Sequence, residues 1–200
     1  MNFKLKWAIY SLVFLLVLAA CSDDDEVTDP EQTMGKVGNY WSAGASGYDD
    51  GRLTITQNSG GDVVGSLTFE GDTYTIEGKV TDNAIYDYVY SNGDKSKPFT
   101  LVKFDANVGD KWEFNVGNQK VVREVVRKST EDDVEYGFWL VKTIDVKETI
   151  PTGTIIKTSE SEVKEILWQF NHKFGFISAT IKTVDGKTTK VNGYSTNAAD

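Results

Sequence analysis

The stretch GFISATIKTVDGKTTKVNGY, residues 175 to 194, decides how this chain folds. On either side of Asp185-Gly186, threonines and other polar residues alternate with apolar ones. A period of two marks a strand with one buried face. Asp-Gly between two such segments is a two-residue hairpin signal. Gly175–Val184 and Thr188–Tyr194 are therefore expected to be antiparallel neighbours, because parallel strands need a long crossover.

The same grammar extends back to about Met34. Short apolar runs predict strands at Arg52–Gln57, Val63–Phe69, Thr73–Val80, Ala84–Tyr90, Phe99–Phe104, Lys111–Val116 and Gln119–Lys128. Further strands are expected at Val134–Glu148, Thr154–Thr158 and Val163–Phe170. Turn signals separate them: Gly60-Gly61-Asp62, Gly71-Asp72, Asn92-Gly93-Asp94, Gly117-Asn118 and Pro151-Thr152-Gly153. The pairs Val121-Val122 and Val125-Val126 fit helical spacing, but four β-branched residues so close together favour a strand. Ser161 followed by good helix formers leaves a helix open over Ser161–Trp168. The expected fold is all-β, an antiparallel meander forming a barrel or strongly curved sheet over residues 34–200, with a β-sandwich as the alternative.

Residues 1–20 have the three parts of an export signal. Lys4 and Lys6 supply the positive start, and Trp7 to Leu18 form an apolar run too short to cross the ~30 Å hydrocarbon core as a permanent helix. Ala19-Ala20 supplies the small-residue cleavage region. Leu18-Ala19-Ala20-Cys21 resembles the lipobox of bacterial lipoproteins. That resemblance implies cleavage between Ala20 and Cys21, diacylglycerol on the Cys21 sulfur and acylation of the new amino terminus. Several acyl chains satisfy the need of stable anchoring for more than one lipid signal. The following Ser22-Asp23-Asp24-Asp25-Glu26 resembles the acidic export tag of Bacteroidota-type lipoproteins, which implies an outer-membrane protein displayed at the cell surface. Residues 21–33 read as an acidic linker between membrane and domain.

The chain carries a formal net charge of −9, and loss of the leader, whose only charged residues are Lys4 and Lys6, leaves −11. Nucleic-acid binding needs a basic footprint, so no nucleic-acid partner is expected. Only lipid on Cys21 would hold so acidic a protein to an anionic membrane surface. The single cysteine is committed to that lipid, which leaves neither a disulfide nor a thiol nucleophile.

A weak internal echo links Val37-Gly38-Asn39-Tyr40-Trp41 with Val108-Gly109-Asp110-Lys111-Trp112. In both, a glycine turn is expected to deliver a tryptophan onto a new strand. Together with Trp168–Phe170 and Phe174-Gly175-Phe176-Ile177, these motifs resemble a loosely defined group of uncharacterised β-rich bacterial lipoproteins. The resemblance implies a meandering β fold, two pseudo-repeated halves of one curved sheet or barrel, and no activity.

Chemistry is sparse. His172 is the sole histidine, so a zinc site, which needs three or four ligands, would lack a second imidazole. Trp168, Phe170, His172, Phe174 and Phe176 share one face if the strand is continuous, and a turn at Asn171–Lys173 would break that register. No Gly-x-Ser-x-Gly elbow and no phosphate-cradling glycine loop is present, so no catalytic set, metal or cofactor is assigned. Paired carboxylates of the glycosidase kind stay open, because 30 acids make a chance pair inevitable. The clusters Asp49-Asp50 and Glu131-Asp132-Asp133 read as solvated turns that could also bind calcium through oxygen. Tyr86, Tyr88 and Tyr90 share one face of a predicted strand. Exposed, they would form an aromatic ladder for sugar or a protein partner; inward, they are core. The functional expectation is a non-enzymatic surface lipoprotein that binds an extracellular glycan or protein. The alternatives are a carboxylate-type glycan-active enzyme and a structural part of an outer-membrane complex.

Overall fold

The computed structural model describes residues 34–44, 51–69, 72–137, 139–153 and 161–195. The leader, the Ala20–Cys21 site, the 21–33 linker, Gly71, the Asp49-Asp50 cluster and the Thr154–Thr158 strand lie outside them. The described part is all-β and antiparallel. Its strands are β1 (Tyr40–Gly44), β2 (Gly51–Ser59), β3 (Asp62–Phe69), β4 (Asp72–Val80), β5 (Ala84–Asp87), β6 (Phe99–Lys103) and β7 (Lys111–Val116). They continue as β8 (Gln119–Lys128), β9 (Val134–Tyr136), β10 (Trp139–Val141), β11 (Ile144–Thr149), β12 (Val163–Asn171), β13 (Gly175–Thr183) and β14 (Thr188–Ser195).

Twelve of these form one sheet in the order β6-β5-β4-β3-β2-β1-β14-β13-β12-β11-β8-β7, and β9 and β10 pair separately. The chain therefore starts mid-sheet, runs to the β6 edge, crosses to the β7 edge and meanders back until β14 pairs with β1. That crossing forces the curvature. Flat, the two edges of a twelve-stranded sheet would lie ~53 Å apart. The eight steps from Lys103 to Lys111 can span at most ~28 Å. The sheet must curl, and it does so strongly enough that side chains of β8 reach the backbone of β6. One curled sheet, rather than two packed ones, is the architecture.

The echo motifs are equivalent corners. Gly38 and Gly109 have φ of 92° and 97°, a region that favours glycine. Gly38 N–H donates to Ile55 O and Ile55 N–H to Asn39 O, at 2.9 and 2.8 Å. Gly109 N–H donates to Val125 O and Val125 N–H to Asp110 O, at 2.8 and 2.9 Å. Each corner thus starts a strand, β1 or β7, hydrogen-bonded to the strand that follows it.

Inside the curl, Val102, Val125, Ile144, Val146 and Phe170 form one apolar cluster. Tyr90, Phe99, Val121, Ile150, Val163, Ile166 and Ala179 form a second. Met34 lies against Val63 and Val80. Gly175 (φ 73°) has no room for a side chain, since a Cβ there would come within 2.8 Å of Met34. Gly193 likewise makes way for the Phe176 ring.

Several boundaries differ from the sequence expectation. Val134–Glu148 is three strands, because Gly137 (φ 61°) folds β9 onto β10. Over Ser161–Trp168 the expected strand forms rather than the alternative helix, and a register shift between Val163 and Glu165 lets both Val163 and Ile166 be buried. The Asp185-Gly186 hairpin exists but has a four-residue connection, Val184 to Lys187. Gly186 N–H bonds Thr183 O at 3.1 Å and Gly186 takes φ 92°, a type I turn closed by a glycine bulge. The run Trp168–Phe176 is a hairpin, with the turn His172–Phe174 between β12 and β13. Asn171 Oδ1 accepts from the Lys173 and Phe174 N–H groups at 2.8 and 3.0 Å and makes that turn.

Candidate functional site

Two polar constellations stand out among the described residues, one sealed and one open. The sealed one begins with an anomaly in β8. Along Val121, Arg123, Val125, the inward positions alternate correctly, yet the middle one is an arginine, only 2% exposed. β11 repeats the anomaly, with Glu148, 1% exposed, in line with Ile144 and Val146. The two pair across the ladder, and Arg123 Nε donates to Glu148 Oε2 at 3.0 Å. From across the curl, Asp87 of β5 meets Arg123 Nη1 at 2.7 Å. The same nitrogen donates to Thr100 O at 3.0 Å and Phe99 O at 3.4 Å on the edge strand β6. Trp168 Nε1 donates to Glu148 Oε2 at 2.8 Å, and the Tyr90 hydroxyl donates to Glu148 Oε1. The guanidinium also lies 4.0 Å over the Phe99 ring.

This cluster closes a seam. Edge-strand carbonyls that would otherwise be unpaired are satisfied by a side chain rooted near the opposite edge. Lys128 adds a second tie across the curl, its Nζ donating to Phe104 O and Ala106 O of the loop after β6 at 3.0 and 2.9 Å. Burial raises the Asp87 carboxyl above 3.8, and the Arg123 charge offsets only part of this. Burial alone would lower the Arg123 guanidinium, but Glu148 and Asp87 override it and raise it. Burial, then the Glu148 charge and hydrogen bond, hold the Tyr90 hydroxyl well above its ordinary range.

Of the two readings of Tyr86, Tyr88 and Tyr90, an exposed ladder or core, the geometry takes the inward one. β5 ends at Asp87, whose carboxylate accepts the Val89 N–H at 3.1 Å and turns the chain. Tyr86 is half-buried, while Tyr88 and Tyr90 are 4% and 6% exposed. The three do not form a common exposed face; Tyr90 belongs to the seam.

The open constellation is a cleft of ≈ 340 Å³ at the β12–β13 turn. The half-buried Phe104 supplies an aromatic wall, the lining Phe170 is only 2% exposed, and Asp82, Asn83, Asp105, Lys142, Asn171 and His172 line it with polar groups. The His172 ring meets Phe104 edge-on at 6.4 Å between centroids. Burial, then the Lys173 charge, lower its pKa below 6.5, so the imidazole is neutral at pH 7. Asn171 anchors one wall by donating to Lys142 O at 2.8 Å. Among the described residues no group of three or more His, Cys, Asp or Glu is placed to hold a metal ion. The Glu131-Asp132-Asp133 cluster is a turn in which Asp133 pairs with Arg127.

No protein-family model matches the sequence, and no curated protein does. A solved structure from Bacteroides fragilis, provisionally assigned as an exported protein with a YmcC-like fold, is similar to this chain. The TM-score is 0.49 at 10% identity, covering 80% of this chain and 95% of that one. Nothing about either constellation rests on so distant a likeness.

The sequence puts His172 in line with Trp168, Phe170, Phe174 and Phe176 only if the strand runs on. The turn at His172–Phe174 breaks that register and leaves His172 lining the cleft beside Phe104. The sequence did not point to Phe104, Asp82, Asp105 or Lys142, which arrive from three separate loops. The seam did leave a trace: a charged residue, Arg123 or Glu148, in line with apolar residues at period two in each of two strands.

Proposed function

We propose that this protein is a lipid-anchored bacterial envelope module that binds an extracellular glycan in the cleft beside His172, without chemical turnover. One observation carries the reading: an open, preformed recess in which the half-buried Phe104 ring is rimmed by carboxylate, amide, ammonium and neutral imidazole groups. Sugars present apolar C–H faces and a ring of hydroxyls that both donate and accept. An aromatic face suits the first, and a mixed polar rim suits the second. A volume of this size falls in the range of small-ligand sites. The lipobox-like Leu18–Cys21 and the acids after it supply the envelope location and outward display. In this reading the buried carboxylates Glu148 and Asp87 belong to the architecture, because both are held by Arg123 inside the wall.

The test is a glycan array probed with the mature protein in detergent, followed by calorimetry on any hit. Lys142→Ala and Asp82→Ala, both at exposed positions, should each weaken a true ligand about tenfold, the loss of roughly one charged hydrogen bond. Absence of any retained glycan, or variants that bind like the parent, would overturn the proposal. Mass spectrometry of the native protein tests the anchor separately, and an unmodified Cys21 thiol would remove it.

A further inference from the structure

We infer that the cleft beside His172 is polarised and selects a saccharide carrying both an amine and a carboxylate, the amine held by Asp82 and Asp105 and the carboxylate by Lys142. This rests on the reading of the cleft as a glycan site and gives the class of sugar. The curl of the sheet brings two distant stretches of chain to the cleft, and they differ in charge. One wall comes from the β4–β5 turn and the loop after β6, and its ionisable lining residues, Asp82 and Asp105, are both acids. The facing wall comes from the end of β8, the β10–β11 connection and the β12–β13 turn. Its ionisable lining residues are Lys128, Lys142 and His172, none of them an acid. The Phe104 and His172 rings, one from each wall, meet edge-on at 6.4 Å between centroids and prop the walls against each other.

Most polar groups of the lining are committed to the fold. Lys128 Nζ is held by the Phe104 and Ala106 carbonyls. Ser129 Oγ donates to Asp133 Oδ1 at 2.9 Å, Thr143 Oγ1 to Asp145 Oδ1 at 2.9 Å, and Asn171 Nδ2 to Lys142 O at 2.8 Å. Among the described residues, the Asp82 and Asp105 carboxylates, the Lys142 ammonium and the His172 imidazole make no hydrogen bond or ion pair. Opposite charges that share a recess without pairing leave a field across it. A ligand of matching polarity gains at both walls, whereas a singly charged one gains at one wall and is repelled by the other. The formal charge of −9 on the whole chain disfavours a purely anionic glycan further. Between the two charged walls, the imidazole offers one donor and one acceptor to sugar hydroxyls.

The test presents one pyranose ring in four charge states to the mature protein in detergent: glucose, glucosamine, glucuronate and glucosaminuronate. In the last, amine and carboxylate leave opposite corners of the ring. Calorimetry gives the affinities, and the imidazole proton signals of His172, the sole histidine of a protein made without a histidine tag, report entry into the cleft. Glucosaminuronate should bind about tenfold more tightly than either singly charged sugar, the gain of roughly one charged hydrogen bond, and should move the His172 signals. Asp82→Asn combined with Asp105→Asn should lower its affinity to that of glucuronate, and Lys142→Gln should lower it to that of glucosamine. All three residues are exposed, so the urea midpoints should not move. Equal affinity for the four sugars, tightest binding of a singly charged one, or variants that keep the parent's preference would overturn the charge assignment and leave the glycan reading in place. Four sugars that all leave the His172 signals unmoved would overturn the glycan reading, and the charge assignment with it.

Discussion

The seam around Arg123 and the cleft beside His172 use the same kinds of residue and do opposite things with them. Both combine carboxylates, a cationic group and aromatic rings at places where distant strands meet. In the seam, burial leaves the charges no alternative to one another, and every described buried side-chain nitrogen and oxygen there has a partner. In the cleft, Asp82, Asp105 and Lys142 are exposed around the half-buried Phe104 ring. A saturated charge cluster is architecture; a half-open one is available to a ligand. The comparison therefore turns on solvent access, not on composition.

The sharpest way to break it is Arg123→Ala. That change leaves Glu148 and Asp87 buried without their cation and strips the partner from two β6 carbonyls. Removing one member of a buried ion pair costs ~3–5 kcal/mol. Urea denaturation should show a loss of that size, with glycan binding lost only in proportion to unfolding. A loss below ~1 kcal/mol, the range of an exposed pair, would mean that the seam is no more structural than the rim of the cleft.

A smaller effect concerns pH. Burial holds the Asp87 carboxyl above 3.8, so ionising it costs more in the folded than in the unfolded chain. Its contribution to stability is full below pH 3.8 and falls as pH rises through the higher folded value. The urea stability of the parent minus that of Asp87→Asn should therefore decrease as pH rises from 3.8. A difference that grows instead would show that attraction to Arg123, rather than burial, governs the seam.

The smallest expected effect sharpens the open side. His172, the sole histidine, should titrate below 6.5 by proton NMR, because burial comes first and the Lys173 charge second among its causes. The folded state then holds that proton less tightly than the unfolded state, and a little stability is lost as pH falls below 6.5. Lys173→Ser should raise the midpoint. An unmoved midpoint would assign the whole shift to burial against Phe104.

Much of the fold was legible in the residues because its causes are local. Period-two alternation and glycine turns placed most strands within a few residues, and the Gly38 and Gly109 corners repeat hydrogen bond for hydrogen bond. The misplacements are also local, and each has a single-residue cause. Gly137 breaks one long strand into a hairpin, and Asp87 ends β5 before the tyrosines can form a ladder. The cleft was not legible, because Phe104, Asp82, Lys142 and His172 have no common spacing.

The order of residues alone settled that this is an antiparallel β protein with an acidic charge and two matching glycine corners, since those follow from near-neighbour sterics and composition. Only the tertiary structure decided which strands became edges, that Arg123 spans them, and which polar groups stayed open to solvent. Asp87, Arg123 and Glu148 are separated by 25 residues or more, and no short-range rule registers a pairing that exists only once the sheet has curled.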